Sequence, residues 1–347
     1  MRFPAFDDRE GVDRSGAKGF ARPSVTGRMN LFRSVRAVTG ASGTGQVDWG
    51  AVAEAAKAAT DPGPLDLPPA ERDGYAADVR DARDRLRTVA GVGFDLPGIV
   101  EVQDRHHWID ANVRTISRVM RPLEAHGPGA MPGVARVANT GSMSVALAFL
   151  ARHVLGQYDP LLLAEAGADE EHGLYFVHPN IRRAAAELGV EYPRFRRWIA
   201  FHEVSHAAEF GAAPWLAEHL EGRMERGVAA LADGRIDREA FHDLDVAMTA
   251  VEGYAELLMD RAFDEEYADL RAKVDARRRG GDPLTRLLKR ALGLGLKRRQ
   301  YERGAAFFGA VADARGVEAA SRVWDRPENL PTDAELDAPE RWLARVS

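Results

Sequence analysis

The chain has 347 residues, 45% of them hydrophobic and 29% charged, with a net charge of −6, the balance of an ordinary globular protein with one large core or two merged ones. That charge argues against a general nucleic-acid binder. The absence of cysteine rules out disulfides and thiolate metal ligands, so any metal must be held by His, Asp or Glu.

The first 28 residues are polar and contain Arg2, Arg9, Arg14, Lys18, Arg22 and Arg28, with no apolar stretch to serve as a signal core. Residues 1–46 read as a disordered tail, with Met29 as the natural start. The most apolar region, Val145 to Leu155, is broken by Arg152 and His153 and is too short to span a bilayer. A cytoplasmic protein without a membrane span is expected.

Asp48 reads as the N-cap of a helix from Trp49 to about Thr60. After a proline-rich loop, Tyr75, Val79, Ala82 and Leu86 recur at helical spacing and predict a helix over about 70–89. Further helices are expected over 105–123 and 132–155. Tyr158–Leu163 and Gly173–Val177 are short, apolar and bounded by turn residues, and predict strands. Helices are then expected over 179–188, 193–210, 214–231, 238–263, 283–301 and 304–314, with a last one near 333–345. The fold class is α+β, predominantly α-helical with a small β-sheet. No internal repeat is visible.

The segment Phe201-His202-Glu203-Val204-Ser205-His206 contains HExxH. On a helix, His202 and His206 lie one turn apart on the same face and can bind one metal ion. Glu203 lies about 100° around the axis, where its carboxylate can serve a water as general base without being a ligand. A catalytic zinc site has three protein ligands and one open position. The third is assigned to Glu252 in Val251-Glu252-Gly253-Tyr254-Ala255-Glu256, because two carboxylates on an apolar helix need positive partners. Glu256, one turn further, is assigned to orient a ligand histidine, with pairing to Arg261 or another base as the alternative. His219, Glu218, His242 and Asp245 are rival ligands. Tyr254, His219, His242 and Tyr301 are candidates for stabilising an oxyanion.

These motifs resemble the zincin-like metallopeptidase type 2 family of actinobacteria and archaea. The resemblance rests on HEVSHAAEF at 202–210, Pro214-Trp215-Leu216 and VEGYAE at 251–256. It continues through Arg299-Gln300-Tyr301-Glu302, Gly304 and the tail from Trp324 to Thr332. Upstream, Val47-Asp48-Trp49, Asp104-Arg105, Trp108, Ala111-Asn112 and Pro179-Asn180 fit as well, so about residues 47–345 are covered. The similarity is greatest to the branch labelled, from genome context, as associated with deazaflavin-cofactor biosynthesis. Membership implies a gluzincin-like site, two His and one Glu on one zinc ion per chain, mapped to His202, His206 and Glu252. It also implies a zincin-like core, placed at 158–265 between an N-terminal helical region, 47–157, and a C-terminal one, 266–347. His178 stands where a small residue is expected.

The expected activity is hydrolysis of peptide bonds by zinc-activated water, with Glu203 as the proton acceptor. Two alternatives stand beside it: a zinc-binding accessory protein without turnover, and a zinc amidase acting on a small molecule. The strand at 173–177 precedes the metal helix and is a candidate edge for pairing with an extended substrate. Residues 271–303 contain twelve Lys and Arg against three acids, and predict a solvated cationic helix, or else a lid for acidic substrates or an anionic surface.

Overall fold

The computed structural model describes residues 33–34, 36–40, 46–120, 132–160, 172–263, 267–279 and 294–346. The tail before residue 33, Met29 within it, residues 280–293 of the cationic stretch and the side chains of 277–301, Tyr301 among them, lie outside the described residues.

The first helices begin where their caps dictate. Asp48 accepts the N–H of Ala51 at the start of α1 (Trp49–Ala58). Pro69 opens α2 (Pro69–Ala90), which ends at Gly91 in the left-handed conformation, φ 65°. Strand β1 (Ile99–Gln103) follows, then α3 (Arg105–Val119), capped by Asp104 on the N–H of His107, and α4 (Pro132–Ala151). Strands β2 (Gly156–Asp159) and β3 (Gly173–Val177) precede α5 (His178–Leu188) and α6 (Tyr192–Ala212). Then come α7 (Leu216–Ala232), α8 (Arg238–Ala262), α9 (Ala268–Arg279) and α10 (Leu294–Arg315). The chain closes with α11 (Val317–Ser321), two 3₁₀ turns, α12 (Asp333–Leu336) and α13 (Pro339–Val346).

The fold is α+β and mostly helical, as expected, but the sheet differs from the expectation in two ways. It has three strands in the order β1-β3-β2, with β1 parallel and β2 antiparallel to β3. Strand β1 is the one the sequence reading missed: it is an edge strand with Val100 and Glu101 exposed, so its apolar signal is short and half of it faces solvent. Strand β3 is central, flanked on both sides, so it offers no free edge for substrate pairing. Its neighbour β2 begins two residues earlier than the pattern predicts. The last helix is also two, because Pro339 cannot continue the hydrogen-bonding of α12 and opens α13 instead.

Helix α6 runs through the main core, burying Phe195, Trp198, Ile199, Ala200, Phe201, Val204, Ala207 and Ala208. It is buried on most of its surface, so the polar Arg196, Glu203, Ser205 and Glu209 are carried inside as well. Trp198 stacks on Phe263 at 5.1 Å and Phe201 meets the same ring at 4.5 Å, tying α6 to the end of α8. Burial of each such side chain contributes about 1.5–3 kcal/mol. Helices α8 and α10 pack backbone to backbone at Gly253 and Gly304: a Cβ on Gly253 would lie 2.3 Å from the Gly304 carbonyl carbon. A second, smaller core joins α1, α3 and α4 around Val52, Trp108, Ile109 and Leu147.

Several motif residues outside the HExxH helix hold the architecture together. Asn180, fully buried, accepts from Arg105 Nε at 2.7 Å and donates to the carbonyls of Ala151 and Val154, so α3, α4 and α5 meet at one side chain. Trp215 Nε1 donates to the Trp324 carbonyl, and Trp342 Nε1 to that of Asn329, which anchors the C-terminal tail. His178 is also buried, its Nδ1 within 3.1 Å of the Tyr75 hydroxyl and 3.2 Å of that of Tyr192.

Candidate metal centre

Helix α6 presents His202 and His206, one turn apart, on one face, with Glu203 beside them. Helix α8 crosses α6 and brings Glu252 to the same place. One ligand-competent atom from each of His202, His206 and Glu252 lies within 4.8 Å of the others. Among the described residues this is the one such trio of His, Asp or Glu side chains. The two imidazoles are 4.9 Å apart between centroids and inclined at 76°, as a one-turn spacing allows. His206 Nε2 stands 3.9 Å from Glu252 Oε2, too far for a hydrogen bond between them. Glu252 is 4% exposed.

The other ring nitrogen of His206 is held from within the same helix. Glu209 Oε2 lies 2.9 Å from His206 Nδ1, and Glu209 is fully buried. The sequence reading missed Glu209; the signal for it was its spacing of three from His206, which puts the two side chains side by side on a helix. Glu256, assigned by sequence to a ligand histidine with pairing to a base as the alternative, has Arg271 of α9 at 3.3 Å.

Glu203 is buried beside the cluster. Its Oε2 accepts the backbone N–H of Tyr158, in β2, at 3.1 Å. Gly156, also in β2, lies so close that a Cβ there would be 2.6 Å from Glu203 Cγ. Neither contact was legible in sequence, because both depend on where β2 docks.

The remaining candidates lie elsewhere. Tyr254 is buried with its hydroxyl 2.7 Å from Ser321 Oγ, its ring between Phe308 and Trp324. His219 packs edge-on against Trp215 at 5.5 Å. His242 is exposed and ten residues before Glu252 on α8, about 15 Å along the axis. Asp245, seven residues before, is about 10 Å along it, and Glu218 is exposed on α7.

The electrostatics of the cluster are those of a site built around positive charge. Burial alone lowers the pKa of His206, but the hydrogen bond and charge of Glu209, with Glu252 and Glu203, outweigh it and push the value up to about 9. Burial raises Glu209 to about 7 against the pull of His206. By contrast, burial and the neighbouring Arg223 lower His219 to about 4. Three buried carboxylates around two imidazoles are costly without a cation. Two imidazole nitrogens and one carboxylate, with no thiolate in the chain, are the donor set of a catalytic zinc site, so the residues fit a divalent ion of that kind.

Comparison with known proteins bears on this geometry. The family model described as zincin-like metallopeptidase matches residues 47–235 and 224–343, nearly the whole chain. The chain belongs to the zincin-like metallopeptidase family. Among solved structures it is similar to the "Crystal structure of a putative hydrolase with a novel fold from Chloroflexus aurantiacus", at 32% identity and a TM-score of 0.67. The match covers 91% of this chain and 97% of that one. No curated protein matches. Membership of the zincin-like metallopeptidase family puts the chain among hydrolases. Among the described residues, no helix is long and apolar enough to cross a membrane.

Proposed function

We propose that the chain is a zinc-dependent peptidase in which His202, His206 and Glu252 hold the metal and Glu203 is the general base. The observation that carries this reading is the meeting of those two imidazoles and the buried Glu252 carboxylate within 4.8 Å, with Glu203 on the same helix. A zinc ion bound there supplies Lewis acidity, lowering the pKa of water to about 7 and polarising a carbonyl group.

The chain's own residues supply the rest. The Tyr158 N–H holds the Glu203 carboxylate in one orientation. Glu203 takes the proton of the attacking water and passes it to the leaving amine. The apolar side chains around α6 exclude bulk water and so strengthen each electrostatic contact in the site.

One observation favours a second reading, a small amide as the substrate in place of an extended peptide. The Tyr158 N–H belongs to edge strand β2, and an added substrate strand would need such a group, but Glu203 already accepts it. A peptide library and a panel of small acyl amides, each incubated with native protein and with Glu203→Gln, decide between them. Cleavage of peptides by the native form alone supports the peptidase, and cleavage of small amides alone supports the amidase. Zinc uptake with no turnover of either set leaves an accessory role and contradicts both enzyme readings.

A further inference from the structure

We infer that Glu209 is a positioning residue for the metal, fixing His206 so that Nε2 is its ligand atom. The inference rests on the metal reading above and deepens it. The geometry is specific: the carboxylate lies 2.9 Å from Nδ1, while Nε2 is the nitrogen that faces Glu252. An acceptor at Nδ1 selects the tautomer with its hydrogen there and leaves the Nε2 lone pair for a cation. The two residues are three apart on α6, so the helix backbone itself holds the pair together. The carboxylate's negative charge also increases the electron-donating power of the ring.

Glu209 is fully buried in the same cluster as the buried Glu203 and Glu252. A glutamine of the same size would give Nδ1–H an amide oxygen and would not add a third buried negative charge. With a cation in the cluster the carboxylate strengthens a ligand, and without one it pairs with the His206 ring alone.

The test compares native protein, Glu209→Gln and Glu209→Ala. Zinc affinity is measured by chelator competition, and the visible absorption of the cobalt-substituted forms reports ligand geometry. Glu209→Ala is expected to bind zinc about 10–100-fold more weakly than native. Glu209→Gln, which keeps an acceptor oxygen, should fall between the two, and both cobalt spectra should differ from the native one. Glu209→Gln should gain less thermal stability from added zinc than the native chain gains. That pattern separates positioning from loss of packing. Should Glu209→Ala misfold, the glutamine variant carries the comparison. Equal zinc affinity and equal cobalt spectra in native and glutamine forms overturn the inference. Failure of the native chain to take up zinc overturns the metal reading itself, and this inference with it.

Discussion

Glu203, on the HExxH helix, accepts the backbone N–H of Tyr158 from the edge strand β2 at 3.1 Å. The general base proposed for hydrolysis is therefore held by a main-chain group of the sheet. Two residues before Tyr158, Gly156 leaves room for that carboxylate because it has no Cβ.

Substituting Gly156→Ala places a methyl group 2.6 Å from Glu203 Cγ. The side chain of Glu203 can swing aside, so the stability cost should stay below about 1 kcal/mol. The position of the base cannot be kept, and turnover should fall by roughly 10²-fold, a typical penalty for a misplacement of about 1 Å. Zinc content should be unchanged. Native rates in the alanine variant would show that β2 does not position Glu203.

Gly253 behaves differently, because its obstacle is backbone. An alanine there meets the Gly304 main chain of α10 at 2.3 Å and forces the two helices apart. The expected loss is about 1–3 kcal/mol, seen as a lower denaturation midpoint at unchanged slope. Glu252 is the preceding residue, so metal affinity should weaken together with stability. An unchanged midpoint would mean that α8 and α10 are not in backbone contact in solution.

The pH dependence of stability should carry a contribution from His219, whose pKa is lowered to about 4 in the fold. In the unfolded chain the imidazole binds its proton near 6.5. Between about 6.5 and 4 the unfolded state therefore holds more protons than the native state. Stability is full above that window, is lost as pH falls through it, and changes no further from this group below it. Urea unfolding of native protein and His219→Gln at pH 8 and pH 5 tests the sign. The glutamine variant should lose less stability over that interval and should keep its zinc. Identical losses would refute the lowered pKa, and loss of zinc would mark His219 as a ligand after all.

Sequence patterning conveyed the helices well, because α2 and α8 carry long periodic apolar faces and α1, α3 and α8 begin at the caps Asp48, Asp104 and Asp237. The pairing of His202 with His206 is local to one helix turn, and Glu252 could be proposed because a buried acid on α8 needs a positive partner. What depends on docking between elements was not legible. Glu209 meets His206 within one helix, a local signal that was overlooked, whereas only the approach of Arg271 from α9 gives Glu256 its base. Likewise the central place of β3 follows from the pairing of a half-exposed strand, Ile99–Gln103, whose composition hardly separates it from a loop.

The most direct test of the account is metal analysis of protein purified without chelator, comparing native chain, Glu252→Gln and the double variant His202→Ala/His206→Ala. About one zinc ion per native chain is predicted, with sharply reduced content in Glu252→Gln and none in the double variant. A native chain without stoichiometric metal, or a Glu252→Gln form that holds zinc as tightly as native, would contradict it.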